Sequence, residues 1–136
     1  MAERPRIVID TNLLISRLLS PRSTPGEAVR RAIDTGTIIA SEATMGKLAA
    51  VLGRGKLDPY VTVEERQQFL RLLGRIVEMV PVLHEVRICR DSKDDKLLEL
   101  AVKGGANLIL SGDRDLLDLV SFRGIPILTA ARYLER

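Results

Sequence analysis

Two short apolar runs in this chain lead straight into aspartates, and that placement constrains the fold more than any other feature. Ile7-Val8-Ile9 is followed by Asp10, and Leu108-Ile109-Leu110 by Ser111-Gly112-Asp113-Arg114-Asp115. A third acidic knot, Asp91-Ser92-Lys93-Asp94-Asp95, opens a stretch with helical spacing. Runs this short and this apolar suit buried parallel strands better than helices. In an open α/β sheet, residues just past the carboxyl ends of parallel strands share one crevice, where ligands bind. Three acidic clusters delivered to one crevice repel each other unless a positive group lies between them. Hard oxygen donors of this kind suit a divalent metal.

Strand-like and helix-like segments alternate along the chain. Arg6–Asp10 reads as a strand and Asn12–Leu19 as a helix stopped by Ser20-Pro21. Pro25 opens a helix to about Asp34, and Thr37–Ala40 is a second strand. Ser41 is an N-cap for a helix over about 42–53. Thr62 with Glu65 three residues on forms a capping box. The helix it starts runs to about Glu78, with Phe69, Leu70, Leu72, Leu73 and Ile76 expected inward. Met79–Leu83 is expected as a third strand, Asp94–Lys103 as a helix, Leu108–Leu110 as a fourth strand and Asp115–Val120 as a short helix. Ile125-Pro126-Ile127 is expected at a sheet edge, because proline has no N–H to give a central strand. Thr129 caps a last helix. The pattern predicts a three-layer α/β/α fold with a central parallel sheet of four to five strands.

The chain has 136 residues, enough for one domain spanning 1–136, and a hydrophobic fraction of 46% that fills one core. No apolar run reaches the ~18 residues of a membrane span. The N-terminus has no signal-peptide architecture. A single cysteine, Cys89, has no intramolecular partner, which predicts a reducing cytoplasm. The net charge of +3 is carried mostly by arginine, which suits bidentate phosphate contacts.

Each acid also has a plainer role. Asp10 can cap the helix after it, Asp94 and Asp95 suit the positive end of a helix, and Asp113 and Asp115 suit a turn. The coincidence of Asp at three strand-to-helix junctions favours a shared site. The only histidine, His84, reads as a solvated loop residue. No Ser-His-Asp or Cys-His arrangement is present.

The segments IVIDTN, VLGRGKL, RDSKDDKLLELA and LILSGDRDLL together resemble a PIN domain, over about residues 6–130. The resemblance is to prokaryotic PIN proteins of toxin–antitoxin (VapC-like) pairs. It implies a metal-dependent ribonuclease with an acidic cluster at the carboxyl edge of a parallel sheet. Asp10, Asp94 and Asp113 match the metal-holding acids, and Asp115 a further acid counted with the catalytic set. Asn12, Ser111 and Asp91 are supporting positions. The cofactor implied is Mg²⁺ or Mn²⁺. The partners implied are RNA, a small antitoxin protein and a second copy of the chain.

One position departs from the pattern. The family carries a Glu on the middle helix in S-x-x-x-x-x-E-L-x-x-V-L-x-R-x-K. This chain runs in register from Ser41 to Lys56 with Lys47 at the Glu position. Three readings stay open: Lys47 replaces one metal, it binds substrate phosphate, or the chain is a catalytically weakened PIN-like RNA-binding or protein-interaction module. Arg54, Lys56 and Arg114 are RNA-binding candidates, with Arg17 and Arg22 behind them. Two Phe and two Tyr leave little for base stacking, so phosphate contacts and shape would carry recognition. A phosphotransfer receiver domain fits less well, since it needs paired acids directly after the first strand.

Overall fold

The computed structural model describes residues 4–82 and 92–136, with side chains in the second stretch described from Asp95 onward. The expected elements on residues 83–91, including the end of the third strand, His84, Cys89 and Asp91, lie outside the described residues.

The strands are β1 (Arg6–Ile9), β2 (Thr37–Ala40), β3 (Glu78–Met79), β4 (Leu108–Leu110), β5 (Ser121–Phe122) and β6 (Ile125–Leu128). The helices are α1 (Thr11–Leu19), α2 (Thr24–Thr35), α3 (Glu42–Leu52), α4 (Val63–Ile76), α5 (Ser92–Lys103), α6 (Arg114–Leu117) and α7 (Ala130–Leu134). The sheet order is β3-β2-β1-β4-β6-β5. All neighbours pair in parallel except β5, which runs antiparallel to β6.

The period-2 alternation of the strands divides the core into two layers. Ile7, Ile9, Ile38, Leu108 and Leu110 face α1, α2, α3 and Tyr133 of α7. Val8, Ile39, Ile109 and Ile127 face α5 through Leu97, Leu98, Leu100 and Ala101. Ile7, Val8, Leu98 and Ile109 are fully buried. Each such side chain contributes about 1.5–3 kcal/mol relative to exposure. The sheet is therefore covered on both faces, as the sequence pattern predicts.

Several expectations need correction. The third strand, expected over Met79–Leu83, is Glu78–Met79, and residues 80–82 lie outside it. The strand Ile125–Leu128 is internal, with β4 on one side and β5 on the other. Ile127 donates its N–H to Val120 O, and Leu128 O accepts from Ser111 N. By alternation, the N–H that Pro126 lacks falls on the β4 side, ahead of the first paired residues Ile109 and Ile127. The long helix stops at Ile76, and Glu78 lies in β3, where Arg6 pairs with it. That hydrogen bond holds the Glu78 carboxyl below the usual carboxylate range. On α4 itself Leu73 is buried, but Leu72 and Ile76 are each 48% exposed, while Arg66 is buried. The short helix after Asp113 ends at Leu117, and Val120 adopts φ 64°, the left-handed region unfavourable for a β-branched residue.

Among the described residues, no helix is long and apolar enough to cross a membrane.

Candidate functional site

Asp10 directly follows β1, and its backbone N–H donates to Leu110 O at 2.9 Å. This bond and the pairing of Ile9 with Leu110 set Asp10 beside Ser111 at the carboxyl edge of the sheet. The Ser111 hydroxyl donates to Asp10 Oδ2 at 2.8 Å and accepts from Asp113 N–H at 2.9 Å. Asp113 Oδ1 in turn accepts from Asp115 N–H at 2.8 Å and caps α6. One hydroxyl thus links two acids that lie more than 100 positions apart in the chain.

Burial sharpens the contrast between these acids. Asp10 is 5% exposed and Ser111 is fully buried. Asp113 is half-buried and Asp115 exposed. Asp10 occupies the N-cap position of α1, yet its side chain makes no cap hydrogen bond. Helix capping therefore does not explain this carboxylate. Ser111 is its one side-chain donor among the described residues. Within those residues, none of the three ion pairs includes Asp10 or Asp115. A buried carboxylate with one neutral donor is poorly compensated, and a cation at the crevice would relieve it.

Two further elements converge on the same edge. β1 and β2 pair with Arg6 opposite Thr37 and Ile7 opposite Ile38, and continuing that register sets Asp10 level with Ser41. Ser41 and Thr44 form a capping box that starts α3 there. At the opposite edge of the sheet, Arg6 Nε donates to Gly104 O at 2.7 Å and Asn107 N–H to Arg6 O at 2.7 Å. These bonds anchor the C-terminal end of α5 beside the start of β1. A helix of 12 residues rises about 18 Å. The first turn of α5, with the backbones of Asp94 and Asp95, therefore lies at the Asp10 edge. The side chains of Asp91 and Asp94 fall outside those described. Among the described residues, no three His, Cys, Asp or Glu side chains gather closely enough to hold a metal.

Asn12 is exposed in the first turn of α1, and Asp10 takes its described side-chain bond from Ser111 instead. Lys47 is exposed on α3 and takes part in none of the three ion pairs among the described residues. Arg54, Lys56 and Arg114 are exposed. Sequence reading passed over Glu99, which is 8% exposed on α5. Its spacing of four residues from Asp95 was the available signal. It also passed over Arg66, a charge inside the apolar stripe of α4.

The PIN domain family profile matches residues 6–115. An uncharacterized protein of Methanocaldococcus jannaschii, MJ1680, is 27% identical over 118 residues, covering 84% of this chain and 74% of the relative. Among solved structures, VapBC2 from Rickettsia felis, bound to a DNA fragment from their promoter, aligns with a TM-score of 0.62 at 10% identity. The alignment covers 91% of this chain and 98% of that one. The PIN domain endonuclease Utp24 aligns with a TM-score of 0.58 at 20% identity, covering 91% of this chain and 84% of that one. PAE2754 from Pyrobaculum aerophilum gives 0.58 at 12% identity, covering 97% and 91%. At these identities the solved structures speak to the fold, whereas the profile spans most of the sequence from β1 to the acids after β4. The chain belongs to the PIN domain family.

Proposed function

We propose that this protein is a metal-dependent ribonuclease and the toxin of a toxin–antitoxin pair. The observation that carries the reading is the Ser111 bridge, which gathers Asp10 and Asp113 at the edge where α5 begins. A nuclease agrees with the family and with the endonuclease Utp24 among the structural neighbours. The VapBC2 neighbour supports the toxin role, with a small antitoxin protein as partner.

The donors suit a hard cation. Asp10 and Asp113 supply carboxylate oxygens, and Asp94 would join them from α5. Magnesium takes one or two carboxylates and keeps several waters, which matches a sparse set of this kind. When bound, Mg²⁺ or Mn²⁺ lowers the pKa of a water and neutralises charge on the phosphate. The chain's own residues do the rest. Asp10 and Asp113 would hold the ion through their carboxylate oxygens, Ser111 fixes the Asp10 carboxylate, and exposed arginines and lysines attract the RNA backbone. In the cell we place the protein in the cytoplasm as a homodimer silenced by its antitoxin.

The test is cleavage of a mixed RNA pool with Mg²⁺ or Mn²⁺, with EDTA and Asp10→Asn as controls. Metal-dependent cleavage that Asp10→Asn abolishes is the expected result. Cleavage that survives both EDTA and Asp10→Asn would place the chemistry elsewhere. No cleavage by the wild type under either metal would refute the nuclease.

A further inference from the structure

We propose that Arg66 is a positioning residue for RNA binding. It locks the segment between α3 and α4 so that Arg54 and Lys56 meet the phosphate backbone of an RNA strand that reaches the acidic site, one length of α3 away. The inference rests on the nuclease reading above.

Arg66 lies on α4 and is 7% exposed. One of its terminal nitrogens donates to Leu52 O at 3.1 Å and to Arg54 O at 3.4 Å. The other donates to Val61 O at 3.0 Å and to Asp58 Oδ1 at 2.8 Å. A single guanidinium thus ties three carbonyls and one carboxylate of the stretch 52–61. Its Nε is buried with no partner among the described residues. Burying a guanidinium is costly, and this one is not fully satisfied.

Closing the end of α3 would be reason enough for a hydrogen-bonding residue, but not for this distribution of charge. From Ala43 to Val63 the chain has three cations, Lys47, Arg54 and Lys56, and one acid, Asp58. Arg66 occupies that acid. Arg54 and Lys56 are exposed, and neither enters an ion pair among the described residues. The segment is therefore anchored by Arg66, while Arg54 and Lys56 stay exposed and outside the ion pairs among the described residues. α3 leads to it from Ser41, level with Asp10, over a rise of about 17 Å. With so few aromatics for stacking, phosphate contacts have to supply most of the affinity.

The experiment measures binding of a labelled single-stranded RNA by fluorescence anisotropy in EDTA, over a range of salt. The proteins are wild type, Arg54→Ala/Lys56→Ala, Arg66→Met and the triple variant. The double variant is expected to weaken binding about tenfold and to flatten the log–log salt slope by about 1.4, roughly 0.7 for each lost contact. Arg66→Met is expected to weaken binding by a similar factor although both surface cations remain. The triple variant should bind no more weakly than the double, because Arg66 acts through Arg54 and Lys56. Unchanged binding in the double variant, or losses that simply add in the triple, would overturn the proposal. Thermal melts establish that the variants fold. If Arg66→Met does not fold, Asp58→Ala takes its place. Charge alone makes that variant bind tighter, whereas loss of the anchor makes it bind more weakly, and tighter binding overturns the proposal. Wild-type cleavage with unaltered binding by the double variant sinks this inference and spares the nuclease reading. Absence of both cleavage and RNA binding in the wild type sinks both.

Discussion

Ser111 and Asp10 form a buried hydroxyl–carboxylate pair at 2.8 Å across the β1–β4 seam, and the same serine oxygen receives the N–H of Asp113. Replacing Ser111 with alanine removes the described side-chain donor of Asp10 and the acceptor of Asp113 N–H in one step. Cleavage by Ser111→Ala should fall about 10–100-fold, the usual cost of losing a group that orients a metal ligand. Steady-state kinetics with a Mn²⁺ titration checks this. A variant with unchanged metal dependence and rate would show that the bridge has only a structural role.

Asp10→Asn should separate stability from activity. The carboxylate is buried with one neutral donor, so the isosteric amide removes an uncompensated charge. In metal-free buffer the melting temperature should rise by about 2–4 °C while cleavage is lost. A clear fall in melting temperature in EDTA would mean that the ionised carboxylate stabilises the fold.

Lys47→Glu should tighten metal binding. Lys47 is exposed, so the exchange disturbs no packing. It lies six residues beyond Ser41, about 9 Å along α3 from the Asp10 edge. Exchanging +1 for −1 at about 10 Å from a divalent ion is worth roughly 1.5 kcal/mol in water before salt screening, so Mn²⁺ affinity should rise about five- to tenfold. Calorimetric titration at low and moderate salt gives the answer, and an affinity that stays constant would place Lys47 out of electrostatic reach.

The capping box of α4 gives a pH-dependent prediction. Thr62 Oγ1 accepts from Glu65 N–H at 3.0 Å, and Glu65 Oε1 accepts from Thr62 N–H at 2.9 Å. The bonds from Thr62 hold the Glu65 carboxyl below its ordinary range. A lowered folded pKa contributes stability that is present above the unfolded value and is lost as pH falls through the folded one. Thr62→Ala should cost about 1 kcal/mol at neutral pH in urea unfolding. The gap between Glu65→Gln and wild type should close as the pH falls through the lowered carboxyl pKa.

The strands were legible where their signal was local. Ile38–Ala40, led by the β-branched Thr37, and Leu108–Leu110 are short apolar runs, and the structure keeps the bounds Thr37–Ala40 and Leu108–Leu110. What escaped was set by neighbours. Pro126 argued for an edge, but β5 forms beyond it from only Ser121 and Phe122, a pairing no local pattern announces. Leu72 and Ile76 continued an apolar stripe, and nothing nearby in sequence shows that α4 turns them outward. At the site, the aspartates stood out by type and spacing. That Ser111 joins two of them depends on the β1–β4 register, which a single sequence does not encode locally.

β4 lies directly against β1 although β2, β3 and five α-helices come between them in the chain. A ribosome must therefore release nearly the whole protein before Asp10 can find the serine that orients it. Closing so long a loop is a late and entropically costly step of folding. An N-terminal fragment carries Asp10 but none of the acids after β4. The acidic edge is thus assembled only when the sheet closes, and the timing of its assembly is written into strand order.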